Sequence, residues 1–294
     1  MSGPVNPIEV SFHNRQYPNA GFDLLRIEDL HARKDLDHSP YQLHRVDFFL
    51  ILLIEAGRGQ HTIDFITYDY IPGTLLTIRK DQLHRFHPCT ETRGYMLLFT
   101  SDFLVSYLEA MEARKSFQLF NEVLSTPVLH LADPVLQEIW ELTQRIRHEY
   151  LTEGDEYSLA IIRSELQILF AKLSRIKTRT RQFAPDRKYL ERFTILQELI
   201  ERHVTEYPRV SHYAQLMGVS TKTLNKVTRS IVHKSAKEFI DDIRTKQIKR
   251  LLINTELSVK EIAYTAGFLE PTNFYKYFRR QTGTTPEQFR KHFG

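Results

Sequence analysis

Two short stretches of this chain combine basic and amide side chains with an apolar helical pattern. In the later stretch, Phe274 and Phe278 are one helical turn apart, so both fall on one face. The side chains that then point outward are Asn273, Lys276, Arg279 and Arg280. The earlier stretch, predicted as a helix over 221–230, displays Lys222, Asn225, Lys226 and Arg229. Lysine can donate to guanine O6 and N7 and asparagine can pair with adenine, so these residue types suit contact with DNA.

Each of these helices follows a shorter predicted helix and a tight turn. Before the later one, Ser258 and Glu261 have the spacing of a capping box. Gly267 lies where the chain must reverse, a place that often requires positive φ. The same alanine-x-x-x-glycine pattern occurs at Ala214 and Gly218. The chain is therefore predicted to contain two helix-turn-helix units, whose second helices enter the major groove of DNA.

The two units differ in length by one residue. Gly218 and Gly267 are 49 positions apart, whereas the apolar anchors Leu224 and Phe274 are 50 apart. The second turn is therefore one residue longer than the first. Between the units, residues 235–254 carry apolar side chains at helical spacing and are predicted to form a rigid connecting helix.

From residue 186 onward, the chain resembles the AraC/XylS-type bacterial transcription regulators. The motifs that carry this resemblance are Ile240-x-x-x-Arg244 with Leu251-Leu252, Val259-x-Glu261-Ile262-Ala263-x-x-x-Gly267-Phe268, Phe274-x-x-x-Phe278-Arg279, and Gly283-x-x-Pro286-x-x-x-Arg290. The chain departs from the family pattern at Thr228, where Phe is usual, at His233, where Gly is common, and at Ile248, where Ala is favoured.

The resemblance implies a set of DNA-contacting side chains. Aligned with the family motifs, the expected base contacts are Lys222, Asn225, Lys226, Thr272 and Lys276. The expected phosphate contacts are Ser220, Arg229, Arg279 and Arg280. The alternative for each is a solvated surface side chain.

The charge distribution fits a nucleic-acid module joined to a different one. Residues 186–294 hold 20 basic and 12 acidic side chains, whereas residues 1–185 hold 20 and 24. Ordinary surface charge is the alternative explanation.

The single cysteine, Cys89, excludes intrachain disulfides and multi-cysteine metal sites. With no signal-peptide pattern and no apolar run of membrane-spanning length, we expect a cytoplasmic protein without a membrane partner.

The N-terminal half is predicted to be a small β-barrel. Short strand-like segments separated by turn signals occur at 48–54, 61–65, 75–78, 82–86 and 95–99. Pro72-Gly73 followed by His84 also resembles the cupin-like sensory domain common in this family. The predicted fold class is therefore a two-domain α+β protein. Its parts are a cupin-like sensing and dimerisation domain at 1–177, a linker at 178–188 and an all-α DNA-binding domain at 189–294.

Helices are predicted after the barrel, at 102–111, 116–124, 134–150 and 157–175. The last has an apolar stripe, whose members are Leu159, Ile162, Leu166, Leu169, Phe170 and Leu173. In the family such helices serve dimerisation, which implies a homodimer. The stripe could equally cover the protein's own sheet.

Histidines at 44, 61, 84 and 87 raise the question of a metal, because cupin enzymes hold iron or manganese with His and Glu. The usual His-x-His cluster is missing, since Arg45 and Val46 follow His44. We therefore expect no metal and no cofactor. The preferred hypothesis is a sensory pocket for an effector of unknown identity, in which basic side chains supply charge for an anionic ligand. The candidate contacts are His44, Arg45, Arg79, His84 and Arg85.

The sequence thus predicts a transcription regulator that binds double-stranded DNA and responds to a small molecule, with RNA polymerase as a further partner. No catalytic constellation is present, so an enzyme is not expected. Two alternatives remain open: a cupin-type metalloenzyme with a helical appendage, and a regulator controlled by a protein partner.

Overall fold

A computed structural model describes residues 8–14, 17, 20–32, 38–89, 91–105, 118–120, 126–179 and 187–293. The chain divides into two compact units, one spanning Ile8–Gln182 and the other Phe183–Gly294. This division falls inside the predicted linker 178–188, most of which lies outside the described residues. None of the helices within the described ranges is long and apolar enough to cross a membrane.

The first unit is built on two five-stranded sheets. Its strands are β1 (Ile8–Val10), β2 (Phe22–Arg26), β3 (His44–Val46), β4 (Phe49–Ala56), β5 (Gly59–Ile63), β6 (Ile66–Tyr70), β7 (Thr74–Ile78), β8 (Leu83–Phe86), β9 (Arg93–Phe99) and β10 (Val128–His130). One sheet has the order β1-β3-β8-β5-β6 and the other β10-β7-β4-β9-β2. Apart from the parallel pair β1–β3, paired strands are antiparallel.

The central strand β4 supplies two separate cores. Because successive side chains of a strand point to opposite faces, Leu50, Leu52 and Ile54 point to one side, where they pack with Ile63 and Phe86 of the other sheet. That cluster is the interior between the two sheets. The alternate side chains Phe49, Ile51 and Leu53 belong to a second core on the outer face, which helices cover.

Four helices belong to this unit: α1 (Ile27–Ala32), α2 (Ser101–Val105), α3 (Val135–His148) and α4 (Ser158–Arg179), counted over the described residues. A 3-10 turn spans Gln118–Phe120, and a π-helical turn at Glu149–Glu153 follows α3. The rest of the helices predicted at 102–111 and 116–124 lies outside the described residues.

The apolar stripe predicted at 157–175 lies on α4 and faces inward. Its residues Ile162, Leu166 and Leu173 are fully buried in the outer core, together with Phe99 of β9 and Ile139 of α3. The stripe therefore covers the protein's own sheet, which was the alternative to a dimer contact.

The second unit is helical throughout its described residues. Its helices are α5 (Arg187–His203), α6 (Val210–Leu216), α7 (Thr221–Val232), α8 (Ala236–Asn254), α9 (Val259–Thr265), α10 (Pro271–Thr282) and α11 (Pro286–Phe293). The pairs α6–α7 and α9–α10 are the two predicted helix-turn-helix units, and α8 is the predicted connector. We call α7 and α10 the recognition helices.

Candidate nucleic-acid interface and histidine cluster

Helix α9 begins at a capping box and is followed by a glycine in the turn that leads to α10. The Ser258 side chain accepts from the Glu261 N–H, and the Glu261 carboxylate accepts from the Ser258 N–H at 2.7 Å, which confirms the predicted capping box. Gly267 has φ +77°, as predicted, and a Cβ there would lie 1.8 Å from the carbonyl oxygen of Thr205. Only glycine fits this turn without moving the backbone of a neighbouring segment.

Recognition helix α10 separates an aromatic face from a basic one. Phe274, Tyr277 and Phe278 are buried, and Phe268 from the preceding turn packs against the rings of Phe274 and Tyr277. The expected DNA contacts on this helix are all exposed: Thr272, Lys276, Arg279 and Arg280. Packing on one side therefore holds a row of polar and cationic groups toward solvent on the other.

Recognition helix α7 has the same plan with a smaller core residue. Ser220 is its N-cap and accepts from the Thr223 N–H at 3.0 Å. Lys222 and Arg229 are exposed, whereas Thr228 is fully buried and donates its hydroxyl to the carbonyl of Asn225. Thr228 thus occupies a core position, where the family pattern has Phe.

Two of the expected base contacts on α7 are engaged within the protein. The half-buried Asn225 donates its amide nitrogen to the Thr221 carbonyl at 3.0 Å, and its oxygen accepts from the Ala236 N–H at 3.0 Å. The Ala236 N–H belongs to the first turn of α8, where backbone donors lack helical partners. The Lys226 ammonium lies 5.5 Å from the centre of the Tyr189 ring, and hydrogen bonding to Tyr189 raises the pKa of Lys226.

In the second helix-turn-helix, Tyr275 makes a bond to the following helix as Asn225 does in the first. It lies 50 positions after Asn225, and its hydroxyl donates to the carboxylate of Glu287 in the first turn of α11. This bond raises the pKa of Tyr275 to about 12. Each recognition helix is therefore tied by one side chain to the start of the next helix.

Two arginines of the family motifs have structural partners. Arg244 of α8 is buried, donates to the Ala266 carbonyl at 2.6 Å and lies 3.9 Å from the centre of the Phe268 ring. Burial lowers its pKa. Arg290 of α11 donates to the carbonyls of Leu252 and Leu257 at 2.8 and 2.7 Å, where α8 ends. These contacts hold the connecting helix α8 against the second helix-turn-helix.

Three histidines meet on the inner face of the first sheet. His44 pairs with His84, His84 with Ile63, and His61 with Phe86, so all five side chains share one face. Ile63 and Phe86 belong to the core between the sheets, which places the histidines in that interior. The His61 Nε2 and His84 Nδ1 atoms are hydrogen bonded at 3.2 Å, and the His44 and His84 ring centres are 4.2 Å apart.

Burial keeps this histidine cluster neutral. Desolvation lowers the pKa of His44 to about 4 and that of His61 to about 3, and it lowers the pKa of His84 well below its ordinary value. His61 Nδ1 and His84 Nε2 have no hydrogen-bond partner among the described residues. In a neutral pair one ring must donate to the other. The two remaining nitrogens therefore always comprise one donor and one acceptor.

The other candidate effector contacts do not join this cluster. Arg45 and Arg85 alternate with inward histidines, so they lie on the outer face, where Arg45 pairs with Glu9 at 2.6 Å and Arg85 is exposed. Arg79 lies at the turn after β7, with its N–H bonded to the Gln82 side chain. His87, which was considered only as a metal ligand, also lies apart from the cluster and contacts the Thr62 hydroxyl at 2.8 Å. His61, by contrast, was not among the expected effector contacts and lies at the centre of the cluster.

The described residues contain no group of three or more His, Cys, Asp or Glu side chains that could hold a metal ion.

Each of the two compact units of the chain matches a known protein family. Residues 213–292 match a helix-turn-helix domain, and residues 28–160 match the AraC-like ligand binding domain. The transcriptional activator RhaS of Escherichia coli is 22% identical over 256 residues, which cover 87% of this chain and 90% of RhaS. A crystal structure of ToxT from Vibrio cholerae aligns with a TM-score of 0.43 and 14% identity, over 92% of this chain and 98% of that one. The C-terminal domain of the response regulator yesN from Fusobacterium nucleatum aligns with 33% of this chain and 94% of its own, at 26% identity and a TM-score of 0.31.

The ligand-binding match precedes the helix-turn-helix match along the chain. RhaS aligns with most of the chain rather than with one unit alone. The chain is a member of the AraC family of DNA-binding transcription regulators, with a ligand-binding domain ahead of its helix-turn-helix domain.

Proposed function

We propose that this regulator binds DNA through both helix-turn-helix motifs, with α7 and α10 in successive major-groove segments on one face of the duplex, ~34 Å apart. The observation that carries the proposal is the separation of faces on α10, where a buried aromatic side holds Thr272 and Lys276 outward. The proposed base contacts are Lys222, Lys226, Thr272 and Lys276, and the proposed phosphate contacts are Ser220, Arg229, Arg279 and Arg280.

Asn225 leaves the proposed set of base contacts. Its amide oxygen accepts from the Ala236 N–H and its amide nitrogen donates to the Thr221 carbonyl, so both polar atoms that would read adenine are held within the protein. We assign it the role of holding α7 against the connector.

Selection of bound duplexes from random DNA, followed by hydroxyl-radical footprinting, tests the proposal. Two protected groove segments per chain, separated by about one helical turn, are expected. A footprint covering one segment per chain would contradict DNA contact by both helix-turn-helix motifs.

For the effector, the proposed anchor is the histidine cluster of His44, His61 and His84. A site with one donor and one acceptor suits an uncharged compound with hydroxyl or amide groups. A carboxylate would need two donors, and the pair can supply them only by taking up a proton. The outward position of Arg45 and Arg85 removes two charges that an anionic effector could have used.

A thermal-shift screen of sugars, organic acids and fatty acids tests this assignment, because a ligand of the native state raises the melting temperature by mass action. Uncharged polyhydroxyl compounds are expected to raise it at neutral pH, and His61→Gln and His84→Gln to abolish the effect. A carboxylate that binds equally well at pH 6 and pH 8 would contradict it.

A homodimer, contact with RNA polymerase and a cytoplasmic location complete the proposal. The inward stripe of α4 cannot supply the dimer contact, but Ile161 and Ile168 on its solvent side are 43% and 44% exposed and seven residues apart. Sedimentation of the full chain and of Ile161→Lys would test this surface, and unchanged self-association in the variant would contradict it.

Metal analysis of the purified protein tests the expectation that it is not a metalloenzyme, and a stoichiometric metal would contradict that expectation.

A further inference from the structure

Leu269 is a solvent-exposed apolar residue in the turn that leads into α10. It is 90% exposed, more than any other large hydrophobic residue of the described chain. The backbone around it is held firmly, since the Phe268 N–H donates to the Ala263 carbonyl at 2.9 Å and the Asn273 N–H to the Glu270 carbonyl at 3.0 Å. A leucine held in water at a fixed position contributes nothing to folding through burial.

Leu269 is also the residue by which the turns of the two helix-turn-helix motifs differ in length. The glycines of the two turns are 49 positions apart, but the N-caps Ser220 and Glu270 are 50 apart. One extra residue therefore lies between Gly267 and Glu270. Phe268 packs inward against Arg244, so the extra residue that faces solvent is Leu269.

Leu269 lies at the entrance to α10. It directly precedes the N-cap Glu270 and stands three residues before Thr272, the first of the proposed base contacts on that helix. In a helix-turn-helix, residues at the N-terminal end of the second helix approach the base edges. The one base feature of the major groove that favours an apolar side chain is the 5-methyl group of thymine.

We propose that Leu269 is a specificity-determining residue that packs against a thymine methyl at the edge of the segment read by α10. This inference rests on the proposed entry of α10 into the major groove. The extra residue in the second turn thus gives the second helix-turn-helix an apolar base contact that the shorter turn of the first helix-turn-helix lacks.

Substitution of thymine by deoxyuridine gives the sharpest test, because it removes only the methyl group. Starting from a duplex selected by the wild-type protein, each thymine is replaced in turn and affinity is measured for wild type and Leu269→Ala. For the wild type, one replacement within the α10 segment is expected to weaken binding about four-fold, the value of one buried methyl. Leu269→Ala is expected to bind the unmodified duplex about four-fold more weakly and to be indifferent to that same replacement.

Leu216→Ala is the matched control, because Leu216 is another exposed leucine, 51% accessible, on α6 of the first helix-turn-helix. It is expected to keep the wild-type sensitivity to deoxyuridine. Both variants are expected to melt at the wild-type temperature. Equal sensitivity of wild type and Leu269→Ala at every thymine would overturn the inference. So would undiminished DNA binding by Leu269→Ala, which would favour a protein partner for this residue. Failure to select any preferred sequence would instead contradict the proposed DNA recognition itself.

Discussion

Lys276 tests the DNA-binding face of α10 at the level of one residue. It is exposed between the buried Phe274 and Phe278, so Lys276→Ala removes a cation without altering packing. The free energy of unfolding should stay within ~0.5 kcal/mol of wild type. Specific DNA affinity should fall by about 1–3 kcal/mol, with relaxed preference at one base pair, as measured by titration of selected and mutated duplexes.

Lys291→Ala is the control for charge alone, since Lys291 is exposed on α11. If Lys276 contacts phosphate instead, the loss should be uniform over all sequences and the salt slope shallower by about one unit. Affinity and salt slope both equal to wild type would remove Lys276 from the interface.

Asn225 permits a test that separates capping from base reading. Asn225→Ala leaves the Ala236 N–H without its acceptor and should lower the free energy of unfolding by about 1 kcal/mol. Asn225→Asp keeps an oxygen acceptor and should lose less, as chemical denaturation would show. The preference of the alanine variant among selected duplexes should match wild type. A lost preference for adenine at one position would return Asn225 to the base contacts.

At the level of elements, the two turn glycines provide an internal comparison. Both have positive φ, +61° at Gly218 and +77° at Gly267, but a Cβ at Gly218 would have no atom within 4 Å. Gly218→Ala should therefore cost only the left-handed backbone strain, about 1–2 kcal/mol. Gly267→Ala adds a collision with the Thr205 carbonyl and should cost several kcal/mol more, measured by thermal or denaturant unfolding. Equal losses in the two variants would show that the neighbouring segment yields freely.

The helix-turn-helix units could be predicted from sequence because their signals are local. The capping pair Ser258–Glu261, the positive-φ Gly267 and the apolar spacing of Phe274 and Phe278 each act within a few residues. The five predicted strand segments likewise overlap β4, β5, β7, β8 and β9. β6 was missed because its side chains are mostly exposed, which removes the apolar signal.

The candidate effector contacts were harder to predict because they depend on strand register. His44 and Arg45 are adjacent in sequence, yet alternation along β3 sends them to opposite faces. The role of Asn225 was equally hidden, because its partner Ala236 lies beyond the end of its own helix. Residue type and the alignment with the family motifs together suggested an adenine contact.

At the level of the whole molecule, the histidine cluster predicts an acid-sensitive first unit. In the unfolded chain these histidines titrate near their ordinary pKa of 6.5, whereas folding lowers the pKa of His44 to about 4 and of His61 to about 3. Below pH 6.5 the unfolded state therefore binds more protons, and stability falls as pH decreases toward the folded pKa values. The loss approaches about 1.4 kcal/mol per pH unit for each such histidine.

Denaturant unfolding of wild type and His61→Gln between pH 7 and pH 4 measures this contribution. The variant should lose stability less steeply below pH 6.5 because one buried imidazole is gone. Identical slopes for the two proteins would show that His61 is not held neutral by the fold.

The bonds from Asn225 and Tyr275 also limit how this protein can be engineered. The two recognition helices look like exchangeable modules, since their anchors repeat 50 positions apart. Their partners are different, however: Asn225 meets the backbone N–H of Ala236, whereas the residue 50 positions later is Pro286, which has none, and Tyr275 reaches Glu287 instead. A chimera with α7 and α10 exchanged would put an amide opposite a proline and a phenol opposite Ala236. New DNA specificity is better obtained by changing outward residues one at a time than by transplanting whole helices.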